Sequence, residues 1–546
     1  EVYCCVFLAA IAWSVLPSRA FGQVSFAAIK GTITDPSGNA INDARVAVLQ
    51  RQIGIGRTAE TQERGLYQIE SLEPGEYELE VSSPGFEKSV YRLTLRAGDY
   101  LTVNVPLELE RLSETVAVIG EVSGINTSDF ALTGNVSRTQ LENLPLNGRN
   151  VLELARLEPG VSVISVANPG AFGNNYQRVS IGGAPYLETR VGVDSSTADD
   201  RINGGTSLNI SQESVQEFQI ASFNFDLTTG ATGSGAVNII TRRGTNNVHG
   251  KVFFYYRDNN LAAYPGLRRD SEHTDPFFAR RQFGVSAGGP IVKDRLFLFG
   301  NVEHNNQDGV FSVANNHPIF SKLDVVQSSP LNSNLFNLRI DGRLNNRFSM
   351  FLRGSQDRND SIAPAASGVF MPSNWFSSRT NAGQIQGGLT SVAASSIVTD
   401  LRFSYSYLNN VLDAVTAKEC LGPQCIGVSG PDILAFDAAS FRIGHHVTVP
   451  KTMRTRTAQI VGNVTWQRGA HRLRFGGEWE HLNLNSIHSF YDPPQIVLWG
   501  PTDLQRSAAF RSLYDALPLT LRDPEAGPPT LSDILQLPLR SFMIGI

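Results

Sequence analysis

The side chains best suited to chemistry in this sequence are few and far apart. Four cysteines occur: Cys4 and Cys5 near the start, and Cys420 and Cys425 in the run Glu419-Cys-Leu-Gly-Pro-Gln-Cys-Ile426. In an exported protein, where thiols oxidise, the second pair suits a small disulfide in a Gly/Pro loop. A metal site needs more ligands close by, and His445 and His446 are too isolated to provide a set. No metal and no other cofactor is expected. No Ser/His/Asp, Cys/His or His-Glu-x-x-His arrangement stands at usable spacing. Gly230 to Gly235 is glycine-rich, but no helical pattern follows it, so the helix N-terminus that would cradle a phosphate is not expected. The carboxylates are scattered over strand-like runs and loops. These residues argue against an enzyme.

The totals narrow the class further. At 546 residues, two or three domains are expected. Charged residues make up 18%, Gly is abundant at 49 and Met scarce at 4. A net charge of −5 gives no basic footprint for nucleic acid. Mean hydropathy is −0.13, and no stretch after residue 25 approaches the roughly 18 apolar residues of a membrane-spanning helix. A β-barrel leaves such an average near zero, because half of its strand residues face water. Residues 2–15 are apolar and lead into Leu16-Pro-Ser-Arg-Ala-Phe-Gly-Gln23. This reads as a secretory signal peptide over 1–22, cleaved after Ala20 or Gly22, that takes Cys4 and Cys5 with it. The first residue is Glu and no basic segment precedes the apolar stretch, so the start is expected to be truncated.

The elements that would position any site are strands. From 26 to 110, short runs at 28–34, 44–49, 66–70, 77–82 and 101–108 alternate with Asp35-Pro-Ser-Gly38, Glu73-Pro-Gly75 and Ser83-Pro-Gly85, the pattern of a small β-sandwich. From 121 to 245 the pattern is mixed. Short helices are expected at 139–144 and 151–157, and strands at 179–182, 190–194, 218–221 and 237–241. From His249 onward, runs occupy 249–257, 282–292, 296–306, 335–344, 347–357, 383–393, 397–409, 456–467 and 471–483. Tight turns at 293–295, 345–346, 394–396 and 468–470 alternate with long connections.

The hairpin around Lys293-Asp294-Arg295 fits a sandwich or a membrane barrel, since Leu296, Leu298 and Val302 lie opposite Asn301, Glu303 and Asn305. The rhythm decides between them. Every long loop falls at one end, as in an outer-membrane barrel with short periplasmic turns. The faces agree. Leu401, Phe403, Tyr405 and Tyr407 oppose Asp400, Arg402, Ser404 and Ser406, and Leu473, Phe475 and Trp479 oppose Arg472, Arg474, Glu478 and Glu480. Unpaired charges are too costly for an ordinary core, so the polar face suits a wet lumen or contact with a plug, and the other face suits outer-membrane lipid.

Several motifs resemble a known family. Gly31-Thr-Ile-Thr-Asp-Pro-Ser-Gly38, Gly65-Leu-Tyr67, Leu72-Glu-Pro-Gly-Glu-Tyr77 and Pro84-Gly-Phe86 are similar to the carboxypeptidase regulatory-like domain, whose fold is shared with carbohydrate-binding modules. Leu144-Pro-Leu-Asn-Gly-Arg-Asn150, Pro159-Gly-Val161, Val215-Gln-Glu-Phe218, Ala236-Val-Asn-Ile-Ile-Thr241 and Gly244-Thr-Asn246 resemble the plug domain of TonB-dependent receptors. Phe225-Asp-Leu-Thr-Thr-Gly-Ala-Thr232 departs from that pattern, so contacts of the expected arginine there are not carried over. Gly244-Thr-Asn-Asn-Val-His-Gly250, Gln282-Phe-Gly284 and Gly288-Gly-Pro-Ile-Val-Lys-Asp-Arg-Leu-Phe-Leu-Phe299 resemble the Oar-like branch of that family.

The resemblance implies a mostly β fold: a sandwich over 26–110, a TonB-box-like segment over 112–120, a mixed α/β plug over 121–245, and over 246–546 about ten of the roughly 22 strands of an antiparallel transmembrane barrel. The tenth would be 541–546, with the rest of the barrel missing. It also implies that Glu114, Thr115, Val116, Ala117 and Val118 pair with the TonB energy-transducing complex by strand addition, and that the front domain is periplasmic. The ligand would be extracellular. Siderophore, glycan and peptide stay open, and so does an adhesion or export role. Loop aromatics at Tyr264, Trp375, Phe376, Tyr491 and Trp499 are candidates for ligand contact or for packing.

Overall fold

The computed structural model describes residues 27–110, 117–121, 132–165, 176–202, 204–223, 232–261, 277–313, 325–345, 347–363, 371–394, 396–420, 425, 427–428, 432–436, 441–468, 471–489, 495–499 and 540–544. The signal-peptide reading, Glu114 to Val116, Tyr264 and Tyr491 lie outside them.

Alternating apolar residues build the front domain as two facing sheets. In the first, Ala27–Thr34 pairs antiparallel with Leu66–Leu72 and parallel with Tyr100–Thr102 and Val105–Pro106. The second runs Ile55–Glu60, Arg45–Gln50, Gly75–Ser82, Ser89–Leu95, Ala117–Glu121. Ile29, Ile33, Val46, Val48, Leu79 and Val81 meet between them, fully buried. The sequence reading misses two strands. Ile55–Glu60 carries Gly, Arg and Thr on a half-exposed edge, where no apolar alternation is required. Ser89–Leu95 is a genuine alternating strand lying behind the turn at Pro84 and Gly85.

The unit from 132 to 241 is a mixed sheet ordered Leu132–Val136, Val215–Phe223, Gly235–Thr241, Thr189–Val193, Ser196–Thr197. A separate hairpin joins Val161–Ser165 to Gln177–Ile181. The helix Arg138–Asn143 starts at a capping box, in which the Ser137 side chain accepts from Gln140 N–H and the Gln140 side chain accepts from Ser137 N–H. Val151–Leu157 is helical as expected, but wound as a 3-10 helix.

Among the described residues, most of the remainder is one antiparallel sheet of nine strands in chain order: His249–Asp258, Ala279–Val292, Leu296–Asp308, Leu331–Arg343, Phe348–Ala363, Phe376–Ala394, Ile397–Ala414, Lys451–Arg468 and His471–His488. Side chains from both its first and its ninth strand reach the 132–241 unit, so the sheet curls around that unit. Its outward face is apolar and exposed, with Phe403 at 49% and Trp479 at 47%, while Arg353 and Asp357 on the inward face are at 0%. Among the described residues no helix is long and apolar enough to cross a membrane.

The strands are longer than the sequence pattern suggests, always at the long-loop end. Phe348–Ala363, Phe376–Ala394 and Lys451–Arg468 continue well into stretches read as loops. The expected tenth strand also needs correction. Arg540–Ile544 is a strand, but it pairs with Gln495–Trp499 in a small sheet with Asp432–Phe436 and Phe441–Ile443, not beside the ninth barrel strand. In the same loop region Cys420 and Cys425 are joined by a disulfide with Cα atoms 5.7 Å apart. Trp375 and Phe376 are almost fully buried there, so of the two roles open to them they fill the packing one.

Candidate functional site

Charged side chains concentrate where the 132–241 unit meets the inward face of the curled sheet. The unit's motif Leu144-Pro-Leu-Asn-Gly-Arg-Asn150 forms the first part of this seam. Gly148 and Arg149 both adopt positive φ, 75° and 59°, which turns a short loop against the barrel wall. Asn147 Oδ1 accepts from Arg257 (2.9 Å) and Arg280 (2.8 Å), both on barrel strands. The Arg149 guanidinium lies over the Phe253 ring at 4.2 Å and donates to Glu303 (3.2 Å) and Glu213 (3.0 Å).

Glu213 is the centre of this cluster. It sits on a 3-10 turn, Gln212–Ser214, capped by Ser211. Its buried carboxylate also meets Arg138 at 2.9 Å, Arg242 at 3.7 Å and Lys251 of the first barrel strand at 2.9 Å. Burial pushes its pKa up, but the bonds from Lys251 and Arg149 and the charge of Arg138 outweigh this and hold it at about 2. The group therefore stays ionised.

A second cluster surrounds Asp194, another residue with positive φ (47°). Its carboxylate takes Arg339 and Arg353 from two barrel strands, each at 3.0 Å, and accepts from Thr241 N–H (2.9 Å) and Oγ1 (2.7 Å). Burial alone would raise its pKa, and the two guanidiniums carry it below the usual range. Gln384 and Gln386 donate to the carbonyls of Thr197 (2.8 Å) and Asp194 (2.7 Å), so the tight turn after Thr189–Val193 is held by the barrel wall on its backbone as well. A third pair, Arg190 and Glu478 at 2.5 Å, reaches the ninth strand.

The front domain meets the same assembly at the short-turn end. Arg243 pairs with Glu73 and donates to Gln50 (2.5 Å). Asn246 N–H donates to Gln52 O (2.9 Å), and its side chain accepts from Asp294 N–H (2.9 Å) in the turn at 293–295. Ala97 N–H donates to Glu217 (2.5 Å). Burial raises the Glu217 pKa to about 7, opposed by that bond. A cavity of about 440 Å³ lies among the three parts, lined by Glu73, Arg138, Asp194, Arg242, Arg243 and Arg339 among others. Among the described residues no group of three or more His, Cys, Asp or Glu could hold a metal ion.

Of the segment Glu114 to Val118, only Ala117 and Val118 are described. They begin the strand Ala117–Glu121 on the front domain and are not gathered with the charged seam. Sequence reasoning identified the inward charges Glu303 and Glu478 but not their partners. Glu213, Asp194 and Arg190 carry no motif. The one available signal was a charge placed beside a turn within an apolar strand run.

Comparison with known proteins gives this geometry a context. Residues 240–319 and 309–506 match the outer membrane beta barrel domain family, and residues 28–108 match the carboxypeptidase regulatory-like domain family. The chain is 29% identical over 296 residues to the TonB-dependent transporter Oar of Myxococcus xanthus, covering 52% of this chain and 27% of that protein. It is 27% identical over 226 residues to the probable TonB-dependent siderophore receptor PirA of Acinetobacter baumannii, covering 38% of this chain and 27% of that protein. The chain therefore aligns with about a quarter of the length of each of these relatives. Its fold is similar to that of the outer membrane transporter YddB from Escherichia coli, with a TM-score of 0.51 at 10% identity over 67% of this chain and 50% of that one. With the curled antiparallel sheet, the unit seated inside it and the sandwich in front, the chain carries an outer membrane beta barrel domain behind a carboxypeptidase regulatory-like domain, resides in the outer membrane, and is similar to TonB-dependent receptors of the Oar-like type.

Proposed function

We propose that this chain is the receptor part of an uptake system that draws an extracellular ligand through the outer membrane, with the 132–241 unit as a removable plug. The supporting observation is the chemistry of the seam. Asp194 with Arg339 and Arg353, Glu213 with Lys251, and Arg190 with Glu478 join plug to wall by charges and hydrogen bonds. Groups of this kind regain solvation when water enters, whereas an apolar seam would expose greasy surface to it. A plug held this way is firm at rest and releasable under traction. The segment Glu114 to Val118 is the handle, paired with TonB by strand addition. The ligand class is a siderophore, glycan fragment or peptide.

The rival role, surface adhesion through the front domain, is disfavoured because that domain contacts the turn at 293–295, opposite the long loops. Deleting residues 114–118 from the full-length protein tests the reading. Uptake of the ligand should stop while outer-membrane insertion persists. Uptake that survives the deletion refutes the role of the handle.

A further inference from the structure

The strand Ala117–Glu121 follows the front domain in sequence, yet it completes that domain's second sheet. It runs parallel to Ser89–Leu95, with Ser89 opposite Ala117, Val90 opposite Val118 and Arg92 opposite Glu121, and with a register shift between Val90 and Arg92. It is the last strand of the five, and among the described residues nothing pairs with its outer edge. An open edge is a row of main-chain donors and acceptors that fits another extended strand and little else. Because the front domain abuts the short-turn end of the barrel, that edge is offered in the periplasm.

A peptide recruited by strand addition normally has to be ordered as it binds, which weakens binding. Here the front domain has already ordered Ala117 and Val118, the last two residues of the handle. We propose that the docking surface for the energy-transducing partner is composite: a strand from the periplasmic domain of TonB adds to the outer edge of Ala117–Glu121, and the front-domain sheet grows from five strands to six. This rests on the TonB-dependent reading above. The handle then binds while still attached to the sandwich, and traction passes to the plug through Ala97–Glu217 and to the segment just after it through Glu73–Arg243.

The register supplies the test. In the full-length protein, Val90→Cys with Val118→Cys allows a disulfide that fixes the handle to Ser89–Leu95. Binding of the purified periplasmic domain of TonB is measured before and after oxidation, beside wild type and Val118→Cys alone. The composite surface predicts a Kd for the oxidised form within twofold of the reduced form, or tighter. A loss of tenfold or more on oxidation, restored by reduction, overturns the proposal by showing that the partner must peel the handle away, and it leaves the uptake reading intact. No binding to any form, wild type included, overturns both. Should the double variant fail to fold, amide exchange on wild type decides. The partner should increase protection at 117–121 without loosening 89–95, and loss of protection at 89–95 overturns the proposal.

Discussion

Replacing Asp194 by Asn should loosen the plug unit while sparing the barrel. Asn keeps the side chain's size and its capacity to bond Thr241, so what is lost is the charge between two guanidiniums. Arg339 retains Asp341, whose carboxylate it meets at 2.8 Å. Arg353 retains only neutral partners, including Ser355 Oγ at 2.7 Å and Gln386 Oε1 at 2.6 Å, and it is 0% exposed. One buried charge is therefore left without a counter-ion, which costs about 3–5 kcal/mol. At a urea dependence of about 2 kcal/mol per M, the midpoint for release of the unit should fall by roughly 1.5–2.5 M. Pulse proteolysis of the full-length protein, reading cleavage within 132–241, measures this directly. Adding Arg353→Met removes the orphaned charge at similar volume and should recover most of the loss, because a buried pair exchanged for apolar groups is often near neutral. A midpoint within about 0.5 M of wild type for Asp194→Asn, or a double variant no better than the single one, would refute this account of the seam.

Three other outcomes are expected. Arg149→Met should cost a similar 3–5 kcal/mol, since Glu303 then keeps the Ser211 hydroxyl but no cation; Arg149→Lys should recover little in the same proteolysis assay, because a point charge does not reproduce the fork that spans Glu213 and Glu303. For Glu217, with a pKa of about 7 when docked against a usual 4.5, the docked state prefers the protonated form. Docking of the front domain is therefore strongest at low pH and weakens as pH rises from about 4.5 to about 7, by roughly 3 kcal/mol. Exchange protection at the Ala97 amide, corrected for intrinsic rate, should track this, and Glu217→Gln should flatten it. Finally, Phe403→Arg on the lipid-facing side should lower the stability of the full-length protein refolded in liposomes by about 2–4 kcal/mol, whereas Phe403→Leu should be nearly silent.

The sequence by itself determined the order of the nine barrel strands, their tight turns and which residues face outward. The reason is physical: within the bilayer a strand must alternate apolar and polar residues, and Phe403, Tyr405, Arg402 and Ser404 display that rule. Beyond the bilayer both faces are wet and alternation lapses, so the upper ends of Phe348–Ala363 and Phe376–Ala394 were illegible and read as loops. The polar inner face announced that something polar fills the barrel. Only the tertiary structure decided what meets what. Asp194 finds Arg353 and Arg190 finds Glu478 across long stretches of chain, and no local period encodes such a meeting. Likewise Ala117 and Val118 read as an extended β-branched segment, but their pairing with Ser89 and Val90 depends on a free sheet edge that exists only after the sandwich has folded.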